Sequence, residues 1–346
     1  MKFGLFIMGT RSGNYQDILD QVQYAEELGF DAVILAERHF RHSDLLYPSP
    51  FSMAGAIAAK TTWIRIGTAA RILPLDHPLH IAQDAAMLDL LSGGRLDFGA
   101  TRASLDEECH LVFHSPLDES RGRFEEALEV IVKAWTEERF SYDGKYYTIQ
   151  EVSVFPQPLQ KPHPPIYIVA VSQETLAFAA KKGYSPFIGA IRSLPELKAT
   201  FEFYWKLFRE AGHNGVFAEL ALNRFIYLSD SDEKARREIE APFMAFIAER
   251  APDLKAALVR KYGGEAHLSF DRFLQDFCLS GSPQTMIARL KELKEQVDLT
   301  YLLCTLNFIT LDHALCLRSM ELFAKEVMPA FRSHQRSAIR FEEVQR

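Results

Sequence analysis

Short apolar segments alternate with longer amphipathic segments along almost the whole chain of 346 residues. Continuous apolar runs are typical of parallel strands buried on both faces, whereas apolar residues three or four positions apart are typical of helices. The eight segments predicted as strands are residues 3–8, 31–36, 65–72, 95–100, 166–171, 186–190, 218–228 and 301–306. Because helical segments separate these strands without a break in composition, we predict an α/β fold, a single (β/α)8 TIM barrel.

The predicted barrel has one long insertion and one distinct end. Between the seventh and eighth strands, residues 231–277 are predicted to form two or three helices, which is more than a simple crossover needs. The barrel domain is predicted to span residues 1–332, and the charged residues 333–346 are predicted to form a frayed tail.

The composition excludes several functional classes. Hydrophobic residues make up 48% of the chain and charged residues 25%, which is ordinary for a globular protein and excludes wholesale disorder. The net charge of −7 lacks the basic character of a nucleic-acid binder, and no apolar run is long enough to span a membrane. The four cysteines form no C-x-x-C motif, which predicts a reducing, cytoplasmic location.

Several familiar catalytic motifs are absent from the sequence. There is no G-x-G-x-x-G, no G-x-x-x-x-G-K-[ST] and no G-x-S-x-G, which argues against a Rossmann dehydrogenase, a P-loop NTPase and a serine hydrolase. Only His110 and His114 show four-residue spacing, and H-E-x-x-H does not occur, so we predict no metal site.

In a (β/α)8 barrel the reactive groups follow the carboxyl ends of the strands. Glu37, Arg38, His39 and Phe40 come directly after the second predicted strand. Three ionisable side chains at this rim fit a general acid/base cluster or a cluster that contacts a bound ring. The alternative is a salt-bridged loop without a catalytic role.

Small residues occupy the end of the third strand, from Gly67 to Ala70. Such residues leave room for a flat ligand to lie close to the backbone. Taken alone, small residues in a barrel strand more often indicate tight packing.

A candidate anion site follows the fourth and fifth strands. Ser172 and Thr175 lie where the fifth predicted helix begins, and Arg102 and Arg121 supply guanidinium groups. Hydroxyl groups and free backbone N–H groups at a helix start bind phosphate, and guanidinium groups fork onto its oxygens. Capping of the helix by Ser172 would use the same geometry, so both interpretations stay open at this point.

Eight sequence stretches together resemble the bacterial luciferase-like flavin monooxygenase family. They are MKFG (residues 1–4), AEELGFD (25–31), ERHF (37–40), IGTA (66–69), LLSGGRLDFG (90–99), SRGRFEE (120–126), KPHPPI (161–166) and SMELFA (319–324). Each stretch is short, but the combination is specific and spans nearly the whole chain.

The resemblance implies a cofactor and the residues that bind it. It implies reduced FMN as a co-substrate, molecular oxygen, a small-molecule substrate, and a homo- or heterodimer. A non-prolyl cis peptide bond at Ala69–Ala70 would hold the isoalloxazine ring. The complete predicted cofactor-binding set is Ala69, Ala70, Arg102, Arg121, Val171, Ser172 and Thr175. Since no nicotinamide-binding motif is present, we expect a separate flavin reductase to supply reduced FMN.

Two positions depart from the family pattern. Arg38 stands where the luciferase catalytic base is a histidine, and Thr101 stands where luciferase has a reactive cysteine. A guanidinium group stays protonated and cannot act as a base. We therefore predict His39 as the catalytic acid/base, with Glu37 beside it, and do not expect light emission from a long-chain aldehyde.

The predicted function is that of an FMN-dependent monooxygenase. The resemblance implies that a C4a-(hydro)peroxyflavin oxygenates a small organic substrate, namely an aldehyde, a ketone or a natural-product intermediate. One alternative is a deazaflavin-dependent oxidoreductase, which transfers hydride without oxygen. Another is a non-catalytic flavin-binding partner subunit, which Arg38 and Thr101 leave open.

Overall fold

The computed structural model describes residues 1–9, 14–40, 48–102, 107–213 and 218–332. The strands are β1 (Lys2–Ile7), β2 (Ala32–Leu35), β3 (Arg65–Thr68), β4 (Arg71–Ile72), β5 (Leu96–Thr101), β6 (Phe140–Asp143), β7 (Thr148–Val152), β8 (Ile166–Val169), β9 (Ser185–Ile188), β10 (Ala221–Leu228), β11 (Cys278–Gly281) and β12 (Tyr301–Asn307). The predicted tail, residues 333–346, lies outside the described residues.

Helices follow most of these strands. They are α1 (Tyr15–Glu27), α2 (Pro50–Lys60), α3 (Pro78–Leu91), α4 (Glu107–Val112), α5 (Ser120–Thr136), α6 (Gln173–Lys182), α7 (Leu194–Glu210), α8 (Asp232–Ala245), α9 (Pro252–Tyr262), α10 (Phe270–Asp276), α11 (Pro283–Val297) and α12 (His313–Leu322). Within the described ranges, no helix is both long enough and apolar enough to cross a membrane.

The parallel strands close into an eight-stranded barrel, as predicted. The strand order is β1, β2, β3, β5, β8, β9, β10 and β12, and β12 pairs with β1 to complete the ring. β3 and β4 together form the third strand of the barrel, and β4 pairs with β5. Because all these strands run in one direction, their carboxyl ends meet at one rim.

The third predicted strand, residues 65–72, is interrupted in the structure. β3 ends at Thr68, and β4 begins at Arg71. The peptide bond between them, Ala69–Ala70, is a non-prolyl cis bond, which is the conformation that the resemblance implied. Two short strands therefore replace the single strand of the prediction.

The insertion before the eighth barrel strand is confirmed, but it also contains a strand that the sequence analysis missed. β11 pairs in parallel with residues Phe225–Leu228 at the far end of β10. β11 has four residues and directly follows α10, so its side-chain pattern is too short to show a strand period. Its pairing partner is the overhanging part of β10, which no local pattern could identify.

Two apolar cores hold the barrel together. A large outer core lies between the strands and the helices, and a smaller cluster fills the lumen. The lumen cluster consists of Ala32, Ile34, Tyr167, Phe187, Ala221, Tyr301 and Leu303, with Phe6, Ala69 and Val169 packed against it. The filled lumen gives the rim a solid floor.

Tight packing explains the small residue at the centre of β3. A Cβ atom on Gly67 would lie 2.5 Å from Cδ1 of Ile34, which is closer than real contacts allow. The packing interpretation of the small residues therefore holds at Gly67. Ala69, two residues later, packs against the lumen cluster.

Candidate active site

A buried carboxylate organises the rim after β2. The Glu37 side chain is fully buried, and its Oε1 lies 2.8 Å from Nε2 of His39 and 2.5 Å from Nη1 of Arg71. Its Oε2 accepts a hydrogen bond of 3.1 Å from the backbone N–H of Ile72. These contacts satisfy the carboxylate on both oxygens, as a buried charge requires.

Arg71 is the residue of this cluster that the sequence analysis did not assign. Its Nη2 also donates to Oδ2 of Asp76 over 3.0 Å. Burial alone would lower the pKa of Arg71, but the charges of Glu37 and Asp76 outweigh burial and raise this pKa above its usual value. A cation at the end of an otherwise buried strand is the signal that could have suggested a buried acidic partner.

His39 is held in place and is shielded from solvent. Only 11% of its side chain is exposed. Its ring lies 5.2 Å from that of Phe113, edge to face, and 5.9 Å from that of Phe40. While Nε2 is bonded to Glu37, the other ring nitrogen, Nδ1, has no hydrogen-bond partner among the described residues. Nδ1 is therefore the atom of this cluster that can exchange a proton with a ligand.

Arg38, between Glu37 and His39 in the sequence, contacts the insertion before the eighth strand. Its Nη1 lies 3.8 Å from Oδ2 of Asp253 in α9, which belongs to the insertion before the eighth strand. The resemblance places the luciferase base at this position, and the arginine that stands here contacts the insertion.

Thr101, which the resemblance matches to the reactive cysteine of luciferase, lies at the end of β5. Thr101 is half-buried there and follows Gly99 on the same face of the strand. Within the described part of the chain, no protein group bonds its hydroxyl. The group is thus able to bond a ligand at the rim.

The residues predicted to bind the phosphate lie at the starts of α5 and α6. Ser172 caps this helix, because its Oγ accepts a hydrogen bond of 3.3 Å from the backbone N–H of Thr175. The same Oγ lies 3.2 Å from Oγ1 of Thr175. Nη1 of Arg102 donates to Oγ of Ser120 over 3.4 Å, at the start of α5. Capping of α6 by Ser172 is thus observed directly, and Arg102 lies at the start of α5.

Glu174, in the first turn of α6, lies beside the guanidinium group of Arg121. Hydrogen bonding from Ser172 and from its own backbone N–H lowers the pKa of Glu174, and the charges of Arg121 and Arg102 lower it further. Oε2 of Glu174 lies 3.9 Å from Nη2 of Arg121. A negative charge at the helix start therefore lies 3.9 Å from Arg121, and the charge of Arg102 also favours its ionised form.

Val171 completes the predicted cofactor-binding set. Its side chain is exposed, and its carbonyl oxygen accepts a hydrogen bond of 3.1 Å from Nη2 of Arg192. This bond fixes the backbone between β8 and the Ser172 cap. No group of three or more histidine, cysteine, aspartate or glutamate side chains within the described ranges is placed to hold a metal ion.

Apolar rings lie beside the candidate acid/base at the rim. The Phe40 and Phe113 rings are 5.6 Å apart, and both side chains are exposed. Exposed aromatic groups next to a half-enclosed histidine favour an apolar ligand at this end of the barrel.

Comparison with known proteins agrees with this architecture. The sequence profile of the luciferase-like monooxygenases matches residues 1–299. The chain is similar to the alkanal monooxygenase alpha chain of Photorhabdus luminescens, with 26% identity over 98% of this chain and 100% of that protein. It is similar to the oxygenase component of the flavin-dependent trigonelline monooxygenase of Acinetobacter baylyi, with 28% identity over 68% of this chain and 67% of that protein.

A solved structure shares the fold along nearly the whole length. The monooxygenase RslO1 from Streptomyces bottropensis superimposes with a TM-score of 0.84 at 25% identity, covering 96% of this chain and 100% of that one. The closed barrel, the residues gathered at its rim and the match over residues 1–299 lead to one conclusion. The chain belongs to the luciferase-like monooxygenase family.

Proposed function

We propose that this protein is a monooxygenase that uses reduced FMN and molecular oxygen to oxygenate a small organic substrate, namely an aldehyde, a ketone or a natural-product intermediate. The observation that carries the proposal is that Arg121 and the Ser172 cap lie together at the start of α6, with Arg102 beside the start of α5. Two guanidinium groups at a helix start fit the phosphate of FMN. Reduced FMN would supply the electrons that activate oxygen.

In this proposal the residues of the rim have three different roles. Arg102, Arg121, Ser172 and Thr175 hold the phosphate. Ala69, Ala70 and Val171 support the flavin ring, since small or exposed side chains there leave room for a planar group. His39 moves a proton at Nδ1, and Glu37 orients the imidazole through Nε2.

The direct test is oxygen consumption by the purified chain with reduced FMN. We expect consumption that depends on reduced FMN and rises with a suitable aldehyde or ketone. Consumption without FMN dependence, or hydride transfer with a deazaflavin and no oxygen uptake, would contradict the proposal. If the chain binds FMN but turns over no substrate with any flavin reductase, the result would favour a non-catalytic flavin-binding subunit instead.

A separate reductase and a second subunit are part of the proposal. The relative from Acinetobacter baylyi is named as an oxygenase component, and relatives from Photorhabdus are named as alpha and beta chains. An exposed apolar surface is formed by Met87, Leu90 and Leu91 of α3 together with Phe155 and Leu159. Apolar patches of this kind mark protein interfaces, so we propose this surface as the contact between two copies of the chain.

Changing Leu91 to lysine is expected to weaken self-association about tenfold, because a charge would replace an apolar side chain at the contact. Leu91 is 69% exposed in the single chain, so this substitution does not disturb the packing of the core. Sedimentation velocity over a range of concentrations measures the effect. Leu111→Lys is the matched control, since Leu111 is 76% exposed on α4. Equal association of the two variants would contradict the assignment.

Glu174 occupies the point that the phosphate would take, so its charge opposes FMN binding in this proposal. Glu174→Gln is expected to tighten FMN binding about threefold, a small factor because the ion pair with Arg121 is exposed. Fluorescence titration measures the dissociation constant of FMN. Riboflavin, which lacks the phosphate, is the control ligand and should bind unchanged. Weaker FMN binding by the variant would show that Glu174 is not a competitor.

A further inference from the structure

A polar pair lies at the upper end of the barrel lumen. β10 and β12 run side by side, with Asn223 opposite Leu303 and Phe225 opposite Thr305. Ala221 and Leu303 belong to the lumen cluster. Because side chains alternate along a strand, Asn223 and Thr305, each two residues further on, also face the lumen. The pair therefore lies above the apolar floor, towards the rim.

The hydrogen bond within this pair fixes the orientation of the amide. Thr305 is fully buried, and its Oγ1 donates to Oδ1 of Asn223 over 2.7 Å. Thr305 Oγ1 has no other acceptor among the described residues, so turning the amide over would leave the hydroxyl proton unbonded. The Nδ2 group is consequently held on the side away from Thr305.

The Nδ2 group of Asn223 is a donor for which the described residues supply no acceptor. Asn223 is half-buried, and within the described ranges its side chain makes only the bond that its Oδ1 accepts. Its neighbours at the same height are the apolar residues Ala69 and Val169, which follow Gly67 and Tyr167 by two positions. A half-buried donor among apolar groups favours a ligand that brings a single acceptor.

We propose that Asn223 is a positioning residue whose Nδ2 donates a hydrogen bond to the carbonyl oxygen of an apolar aldehyde or ketone. This inference rests on the proposed function, since that carbonyl compound is the substrate of the same site. β10 is four positions from β3 in the ring of eight strands, so Asn223 stands across the lumen from Ala69. With the flavin ring against Ala69, the wall that carries Asn223 faces the substrate.

Ligand binding without turnover tests the proposal. Cyclohexanone and camphor are compared with their analogues in which a methylene group replaces the carbonyl oxygen. Dissociation constants are measured by saturation-transfer NMR on the full chain, with and without oxidised FMN. The variants are Asn223→Leu, Thr305→Val and the double variant, which leaves neither partner unpaired. Thr305→Ser keeps the hydroxyl, and Val169→Ala changes the volume of the same layer without touching a hydrogen bond.

We expect Asn223→Leu and the double variant to weaken binding of both ketones about tenfold, with the methylene analogues unchanged within about twofold. Thr305→Val should weaken ketone binding about threefold, and Thr305→Ser should match the natural chain. Val169→Ala should affect each ketone and its analogue equally.

Three results would overturn the assignment. The first is that the Asn223→Leu substitution changes the dissociation constants of the ketones and of their analogues equally. The second is that it lowers the affinity for FMN as much as the affinity for the ketones. The third is that the natural chain binds the ketones no more tightly than their analogues. Failure of the proposed function looks different. In that case FMN does not bind, while the preference for ketones still depends on Asn223.

Discussion

Replacing Arg102 with alanine is expected to weaken FMN binding by about 1.5–3 kcal/mol, which is the range for a hydrogen bond to a charged group. The guanidinium group of Arg102 lies beside Ser120 at the start of α5 and acts on the same point as Arg121 and Ser172. Loss of this charge leaves the phosphate with Arg121, whose side chain is more than one-third exposed and is screened by water. Titration calorimetry with the purified chain measures the difference.

Riboflavin and a neighbouring arginine make this experiment specific. Riboflavin carries the same ring without the phosphate, so its affinity should be the same in Arg102→Ala and in the natural chain. Arg123 lies on α5 as well, but it pairs with Glu119 and covers the Tyr146 ring, so Arg123→Ala should leave FMN affinity unchanged. If riboflavin and FMN lose affinity together, Arg102 supports the fold of the rim rather than the phosphate.

Replacing Glu37 with alanine is expected to lower the free energy of unfolding by about 3 kcal/mol, because removing one partner of a buried ion pair leaves the other charge uncompensated. The Glu37 side chain is fully buried, and 14% of the Arg71 side chain is exposed. Asp76 remains as a partner of Arg71 and holds the loss near the lower end of the usual range. Urea unfolding followed by circular dichroism measures the change.

A double variant separates the lost charge from the lost volume. Glu37→Leu combined with Arg71→Met removes both charges and keeps apolar bulk, so it should be more stable than Glu37→Ala. Glu210→Ala is the surface control, because the pair of Glu210 with Lys206 is exposed at 3.9 Å and should matter by less than about 1 kcal/mol. A loss for Glu37→Ala no larger than that of the control would show that the carboxylate is not needed for the rim.

The orientation of the His39 ring depends on the same carboxylate of Glu37. Without Glu37, Nε2 of His39 loses its bond of 2.8 Å, and the ring keeps only its contacts with Phe40 and Phe113. In the proposed function, stability and catalysis therefore depend on one buried group, and we expect Glu37 variants to affect both. Glu37→Gln preserves the shape of the side chain and is the better variant for comparing reaction rates.

Local sequence patterns were sufficient to predict the barrel. Strands such as β2 and helices such as α5 depend on apolar spacing within the segment itself, and they form where they were expected. The position of Glu37, Arg102 and Ser172 at the rim followed from the same patterns, since parallel strands bring their carboxyl ends together. The fold and the location of the candidate site at one rim of the barrel could therefore be predicted from the sequence.

The pairing of side chains at the rim was decided only by the tertiary structure. Glu37 meets Arg71 across 34 residues, and Thr305 meets Asn223 across 82. Arg38 turns to Asp253 of the insertion, although its sequence neighbours Glu37 and His39 contact each other. Each contact joins strands or helices that become neighbours only when the barrel closes. Sequence spacing thus determined which residues reach the rim, whereas barrel closure determined which of them touch, because a hydrogen bond depends on distances that no local period encodes.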